Sequence, residues 1–173
     1  MFDNEENFEM DGYRKLPIYK KAQEIVDLVR KIADLIPEDD KMLNSIMGFI
    51  LEDAYIIPAK IAGAEGGDLY DIRMENAAII RKSARNLTVQ YHSLVEFGFE
   101  HAEYYKMVRH LVEEFRLLFI DWVAGFDKFN YIIDRWGLFN PHGVNPFDED
   151  IDDKFGSENS DFFDYFDDND DDD

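Results

Sequence analysis

Residues 17–36 read PIYKKAQEIVDLVRKIADLI, and their apolar side chains recur at alternating steps of four and three residues. The recurring positions are Ile18, Ala22, Ile25, Val29, Ile32 and Ile36. This spacing predicts an amphipathic helix that buries one face against other helices. Pro17 suits the first helical position, where its missing N–H is not needed, and Pro37 ends the segment.

Three further segments show the same helical spacing. The second begins near Asp39 or Asp40, either of which can cap it, and runs to the glycine-rich loop 63–67. The third covers about 69–97, and the fourth begins near His101. Since no segment alternates with period two, the sequence predicts an all-α, up-down-up-down four-helix bundle.

The bundle is expected over residues 16–136, after an acidic N-terminal segment, 1–15. Pro58 lies inside the second helix and removes the backbone hydrogen bond to the carbonyl of Ala54. We therefore expect a structural kink at Pro58.

The net charge of the 173 residues is −21, and it is concentrated at the two ends. Residues 148–173 hold 14 acids and one base (−13), and residues 1–12 hold five acids and no base (−5), which leaves −3 for residues 13–147. Such a field repels polyanions and excludes a uniformly basic nucleic-acid-binding domain. The absence of cysteine excludes disulfides, thiol nucleophiles and thiolate metal sites.

No targeting or membrane segment is evident in the sequence. The N-terminal run MFDNEENFEM has neither a positive region nor a long apolar stretch, so no signal peptide is expected. The apolar run from Phe115 to Phe126 is interrupted by Arg116 and Asp121 and is too short to span a bilayer. We therefore expect a cytoplasmic protein without a membrane partner.

Two helices carry more apolar surface than a four-helix core uses. Residues 49–57 are apolar on nearly all sides of the second helix. The fourth helix has one apolar row at Tyr104, Val108, Leu111, Phe115, Leu118 and Trp122, and a second at Val112, Phe119, Val123 and Phe126. This surplus predicts burial against another subunit or another partner, and hence a homo-oligomer.

The C-terminal part divides into two segments. Residues 137–147 are rich in Gly, Pro and Asn and offer Leu138, Phe139 and Phe147 for anchoring to the bundle. Residues 148–173 are rich in aspartate, and such a charge density opposes collapse. We expect an anchoring segment followed by a disordered acidic tail.

The first two helices carry motifs that resemble a known family. Residues 16–29, LPIYKKAQEIVDLV, with Tyr19 and Ala22, are similar to the Y-x-x-A helix that opens the bacterial four-helix-bundle proteins associated with intervening sequences in 23S ribosomal RNA genes. Residues 56–62, IIPAKIA, are similar to that family's S-I-P-x-N-I-A-E-G run. The matching positions are Ile57, Pro58, Ile61 and Ala62. The resemblance covers roughly residues 16–130 and includes no catalytic motif.

Membership of this family would imply a small up-and-down bundle that assembles into ring-like oligomers, often pentamers. Relatives among the accessory proteins of diversity-generating retroelements associate with a reverse transcriptase and bind nucleic acid through a basic surface. The resemblance therefore implies a pentamer, and it raises nucleic acid as a partner.

No arrangement for catalysis is recognisable in the sequence. A di-iron carboxylate bundle needs two Glu-x-x-His pairs on separate helices, and the chain has only the reversed His110-x-x-Glu113. The glycines of 63–67 lack the Lys-Ser/Thr ending of a phosphate-binding loop. The sequence predicts no catalytic residue, no metal ligand and no cofactor, so we expect a protein that is not an enzyme.

Two polar features inside the bundle each allow two interpretations. Glu52 and Asp53 lie in the most apolar part of the second helix, where they either pair with a base such as Arg81 or Arg85, across the bundle or a subunit boundary, or simply face water. Arg81, Lys82 and Arg85 form a compact basic cluster, with Arg81 and Arg85 one turn apart on one face. This cluster either contacts phosphates weakly or pairs with acids of the same chain or a neighbour.

The tail carries an acidic run with aromatic residues, DFFDYFDD, at residues 161–168. Its aromatic side chains are Phe162, Phe163, Tyr165 and Phe166. Aromatic residues within an acidic run can enter an apolar pocket of a partner while the carboxylates meet a basic rim. The alternative is a tail that only increases solubility.

These observations favour an oligomeric interaction protein that presents acidic, aromatic tails to a basic protein partner, for example a nucleic-acid enzyme. The alternative is an RNA- or DNA-binding accessory protein whose tail competes for the basic cluster.

Overall fold

The computed structural model describes residues 12–150, and four α-helices account for most of them. They are α1 (Pro17–Ala33), α2 (Lys41–Glu65), α3 (Tyr70–Glu96) and α4 (Tyr105–Ala124). Short 3₁₀ turns, Gly12–Lys15 and Ala102–Tyr104, precede α1 and α4. No strand occurs in this part of the chain.

The helices pack as a closed four-helix bundle. Each helix contacts its neighbours in the chain, and α1 also packs against α4, which closes the ring. With short connections between consecutive helices, this arrangement confirms the predicted up-down-up-down bundle. All six positions of the seam predicted in the first helix are buried in the core.

The helix ends follow the chemistry of their capping residues. Pro17 is the first residue of α1, and the side chain of Asp40, not Asp39, caps α2 by accepting the N–H of Leu43 at 3.0 Å. Two residues after the end of α3 at Glu96 lies Gly98, whose φ of 76° is a conformation that favours glycine. The N–H of Phe99 then donates to the carbonyl of Leu94 at 2.9 Å, as in a Schellman motif.

Pro58 lies within α2 and is buried. The helix continues on both sides of it, from Lys41 to Glu65, and so includes part of the predicted loop 63–67. The predicted kink at Pro58 stays a prediction.

Helix α4 begins later than the sequence indicated. A 3₁₀ turn, Ala102–Tyr104, follows His101, and its tighter winding puts Tyr104 out of register with the rest of the predicted row, in which Val108 and Phe115 are buried. Tyr104 is therefore 52% exposed, although the predicted row placed it inward, while Tyr105 is fully buried. The hydroxyl of Tyr105 donates to the backbone carbonyl of Leu87 at 3.0 Å, and burial raises the pKa of this phenol.

The apolar side chains of the predicted second row of the fourth helix are mostly covered by other parts of the same chain. Val112 and Phe126 are buried, and Phe119 and Val123 are half-buried. The surplus inferred from this row was therefore overestimated, because the other helices and the chain after α4 cover it. The exposed apolar side chains of α4 are instead Met107, Leu117 and Ile120.

After Ala124 the described chain contains no further helix, so the helical part ends before residue 136. Polar contacts hold this part against α3: the N–H of Tyr70 donates to the carbonyl of Asn130 at 2.7 Å, and Asp71 accepts the N–H of Ile132 at 3.0 Å. Leu138 and Phe147 were expected to anchor residues 137–147, but they are 75% and 90% exposed. That expectation was wrong for both, since repeated turns point them outward.

Most of the predicted tail lies outside the described residues. At its start, Arg135 donates to the carbonyl of Asp148 at 2.7 Å and pairs with Asp150 at 2.8 Å. Residues 151–173 lie beyond this point, and with them Phe162, Phe163, Tyr165 and Phe166.

Candidate binding groove

A groove runs between the outer faces of α3 and α4. Two cavities, of about 400 Å³ and 470 Å³, form it. Both cavities are lined by Thr88, Val112 and Glu113, so they are adjoining parts of one surface. Their size is that of a pocket for a small ligand or for a few side chains of a peptide.

The groove has an apolar floor and a basic rim. Its floor is lined by Ala84, Val112, Phe115 and Phe119, with Val89 at the edge. Five cationic side chains line it, Arg81 and Arg85 from α3 and Lys106, Arg109 and Arg116 from α4. Glu113 is the one carboxylate among the lining residues, so this surface is positive although the chain as a whole is strongly acidic.

Two of these cations are neutralised within the chain. Arg116 binds Glu113 through two nitrogens, the shorter contact being 2.5 Å, and this hydrogen bonding lowers the pKa of the Glu113 carboxyl. Lys106 pairs with Glu103 at 2.7 Å, which lowers the pKa of Glu103. Both pairs are exposed, so each contributes little to stability.

The other three cations of the groove have no carboxylate partner among residues 12–150. Arg81 and Arg85 are exposed, and no Asp or Glu of the described chain lies within 4.0 Å of either guanidinium. Arg109 instead lies over the ring of Tyr91, 5.7 Å from its centroid. Unpaired guanidinium groups beside an apolar floor suit an anionic ligand with apolar parts.

The structure brings together only part of the predicted basic cluster. Arg81 and Arg85 line the groove, as expected from their spacing of one turn, whereas Lys82 is exposed but is not among the lining residues. The cations of α4 were missed. Their signal was the three- and seven-residue spacing of Lys106, Arg109 and Arg116.

The acids of α2 do not pair with these arginines. Glu52 is exposed, and Asp53 is half-buried and accepts a hydrogen bond from the side-chain amide of Asn86 at 3.2 Å. Pairing with Arg81 or Arg85 across the bundle was therefore the wrong interpretation, while pairing across a subunit boundary stays a prediction. The acids face water or an amide, which leaves the arginines available.

A second polar cluster, near the start of α3 and about two helical turns from Arg81, was not predicted. Arg73 binds Glu65 at 2.5 Å, and the indole N–H of Trp122 donates to the same carboxylate oxygen at 2.7 Å. The guanidinium lies 4.3 Å from the ring centroid of Phe126. This cluster joins α2, α3 and α4, and its contact from Glu65 to Trp122 spans too many residues for a local sequence pattern to reveal it.

Near the start of α3, the carboxylate of Asp134 organises the first turn after Ile133. It accepts the backbone N–H groups of Trp136, Leu138 and Phe139 at 2.8–2.9 Å. These hydrogen bonds, chiefly that from Phe139, lower the pKa of Asp134.

Comparison with known proteins gives no match to a family model, to a curated protein or to a solved structure. Within residues 12–150, no group of three or more acidic or histidine side chains is placed to hold a metal ion. No helix in the same range has both the length and the apolar character needed to cross a bilayer.

Proposed function

We propose that the protein is a non-enzymatic interaction protein, an oligomeric helical bundle that presents its acidic, aromatic tail to a basic protein partner such as a nucleic-acid enzyme. The observation that carries this proposal is the surface from which the tail departs. Trp136 and Phe147 are each 90% exposed there, and Trp136 lines a cavity of about 490 Å³ together with Asp71, Glu75, Asp134 and Arg135.

This surface has the same chemistry as the tail sequence. The exposed ring of Trp136 shares a cavity with carboxylates, and Phe147 is followed in the sequence by the acidic run 148–150, much as Phe162 and Tyr165 are flanked by aspartates in the run 161–168. Aromatic groups supply contact area at low entropic cost, and carboxylates steer a basic partner into place. The tail and the end of the bundle together offer a partner one extended acidic and aromatic surface.

Assembly into a homo-oligomer would multiply this weak contact. Exposed apolar side chains on α2 and α4, among them Phe49, Tyr55, Leu117 and Ile120, supply candidate contact area between subunits. Several tails around one ring raise avidity without new contacts, and the family resemblance favours five. Light scattering at micromolar concentration should give a multiple of 20.4 kDa. A monomer mass would exclude the oligomer and leave the tail proposal to be tested alone.

Affinity capture with the full chain tests recruitment by the tail. The matched variant replaces Phe162, Phe163, Tyr165 and Phe166 by alanine and keeps every charge. We expect the unchanged chain to retain a basic protein, and the variant to retain at least about tenfold less of it. The purified partner should then bind the unchanged chain more tightly than the variant. Equal retention by both chains would contradict recruitment through the aromatic side chains.

The unpaired Arg81 and Arg85 favour a second candidate function, RNA or DNA binding at the groove. Because few charges take part, such binding would be weak and would fade steeply as salt rises. The same captures, probed for nucleic acid, separate the two functions. Nucleic acid retained at physiological salt, and lost in Arg81→Glu/Arg85→Glu, would favour this second function over recruitment.

A further inference from the structure

We infer that the α3–α4 groove is the intramolecular binding site of the chain's own tail, with residues 161–168 as the bound segment. The groove would then hold the aromatic side chains that the partner recognises, so the free protein would be self-occupied. Docking does not require the partner proposed above. The two ideas can therefore fail separately.

Charge complementarity is the first argument. Arg81, Arg85 and Arg109 have no carboxylate partner in residues 12–150, and the segment 161–168, DFFDYFDD, carries four aspartates and no base. Arginine forks bind carboxylates through paired hydrogen bonds. The segment therefore supplies the anions that the described chain does not provide at this surface.

The shape and chemistry of the floor give the second argument. Phe115 and Phe119 lie at the floor of a cavity of about 400 Å³, which is large enough for aromatic side chains. The groove extends about 20 Å along α4 from Lys106 to Phe119. The six residues 161–166, which include all four aromatic side chains, cover a similar length when extended. The backbone of a double-stranded nucleic acid would use the cations and leave this apolar floor unused.

The position of the chain end gives the third argument. Asp150 is held by Arg135, which lines a cavity with Ile72 at the start of α3. Arg81 lies about 14 Å further along that helix. The ten residues 151–160 can extend about 33 Å, which covers this distance and the path around α3.

Tethering makes weak docking sufficient. A short flexible linker gives the segment a local concentration of millimolar order at the groove. Even a dissociation constant near that value would keep about half of the grooves occupied, while a tighter partner could still remove the segment. The groove would thereby set the affinity threshold for recruitment.

Disulfide trapping in the full chain tests the docking, because the natural sequence has no cysteine. One variant carries Val89→Cys at the groove edge and Ser160→Cys next to the docked segment; both positions leave the aromatics and charges intact. The matched control carries Ile72→Cys with Ser160→Cys. Val89 is 51% exposed and Ile72 is 43% exposed, and Ile72 lies nearer to Asp150.

The trapping rates distinguish docking from random motion of a tethered chain. Each trapping rate is divided by a reference rate, measured on the variant that carries only the Val89→Cys or the Ile72→Cys substitution as it reacts with an uncharged disulfide reagent. Circular dichroism verifies that every variant is folded. With docking, the intrachain disulfide to Val89→Cys should form at least about tenfold faster than that to Ile72→Cys, and Arg81→Glu/Arg85→Glu should remove the excess. Equal rates, a faster Ile72→Cys variant, or disulfides formed only between chains would overturn the proposal.

Discussion

Two parts of the α3–α4 interface, about two helical turns apart along α3, use arginine in opposite ways. In one part Arg73 is 13% exposed and is enclosed by Glu65, Trp122 and Phe126, so its charge is neutralised inside the chain. In the groove, Arg81 and Arg85 are exposed, and no carboxylate of residues 12–150 neutralises them.

The difference separates structural charges from available ones. A guanidinium that already has a carboxylate and an aromatic face joins helices and offers little to a ligand. A guanidinium beside an apolar floor, with no partner of its own, contributes little to folding and much to binding an anion. We therefore expect substitution of Arg73 to change mainly the free energy of unfolding, and substitution of the groove arginines to change mainly the binding of an anion.

Removal of the Arg73 guanidinium should give the largest effect on stability. Arg73→Leu leaves the carboxylate of Glu65, only 23% exposed, without its cation. The free energy of unfolding should fall by about 2–3 kcal/mol in urea titrations. The matched control, Arg81→Leu, removes an exposed arginine of the same helix and should change it by less than about 0.5 kcal/mol. Similar losses of unfolding free energy in both variants would contradict the distinction drawn between Arg73 and Arg81.

Tyr105 tests what holds the groove walls together. Its hydroxyl on α4 donates to the carbonyl of Leu87 on α3, and Tyr105→Phe should lower the free energy of unfolding by about 1 kcal/mol. The control is Tyr104→Phe, at the exposed neighbouring position, for which we expect no measurable change. Were Tyr104→Phe the more costly variant, the assignment of Tyr105 to the core would be incorrect.

The smallest effect concerns Asp134 and depends on pH. Its pKa is lowered in the folded state, so its contribution to stability is present above its unfolded pKa, about 3.9, and is lost as pH falls through the folded value. Asp134→Asn should therefore lower the melting temperature at neutral pH, and the deficit should shrink below about pH 4. Asp121→Asn, at an exposed acid near the end of α4 whose carboxylate accepts no hydrogen bond within residues 12–150, serves as the control. A deficit that is constant from pH 2 to pH 7 would contradict the carboxylate's role.

The fold was predictable because helical periodicity and capping are local. The seam that includes Ile25 and Val29, the cap at Asp40 and the end of α3 before Gly98 each depend on residues within a few positions of one another. The prediction of Tyr104 as a core residue failed for a related reason. Tyr104 lies within a 3₁₀ turn and is therefore out of phase with the α-helix after it, and the spacing of apolar residues contains no signal for that turn.

The groove was only half predictable because it draws on two helices. The sequence analysis grouped three residues because they are close in the sequence: Arg81, Lys82 and Arg85. Only Arg81 and Arg85 lie on the helix face that lines the groove, and Lys82 does not. Arg109 joins the groove from α4, which sequence distance alone does not place beside α3. The absence of a carboxylate partner is likewise a property of packing, and it required the side-chain positions.

The claim that binding resides at the unpaired arginines is tested most directly by backbone amide chemical shifts. Spectra of the full chain are compared with those of the chain in which Phe162, Phe163, Tyr165 and Phe166 are alanine. The account predicts shift changes at Thr88, Val89, Val112 and Glu113, decreasing as salt is raised, and none at Glu65 or Arg73. Changes confined to the tail itself, or centred on Arg73, would contradict it.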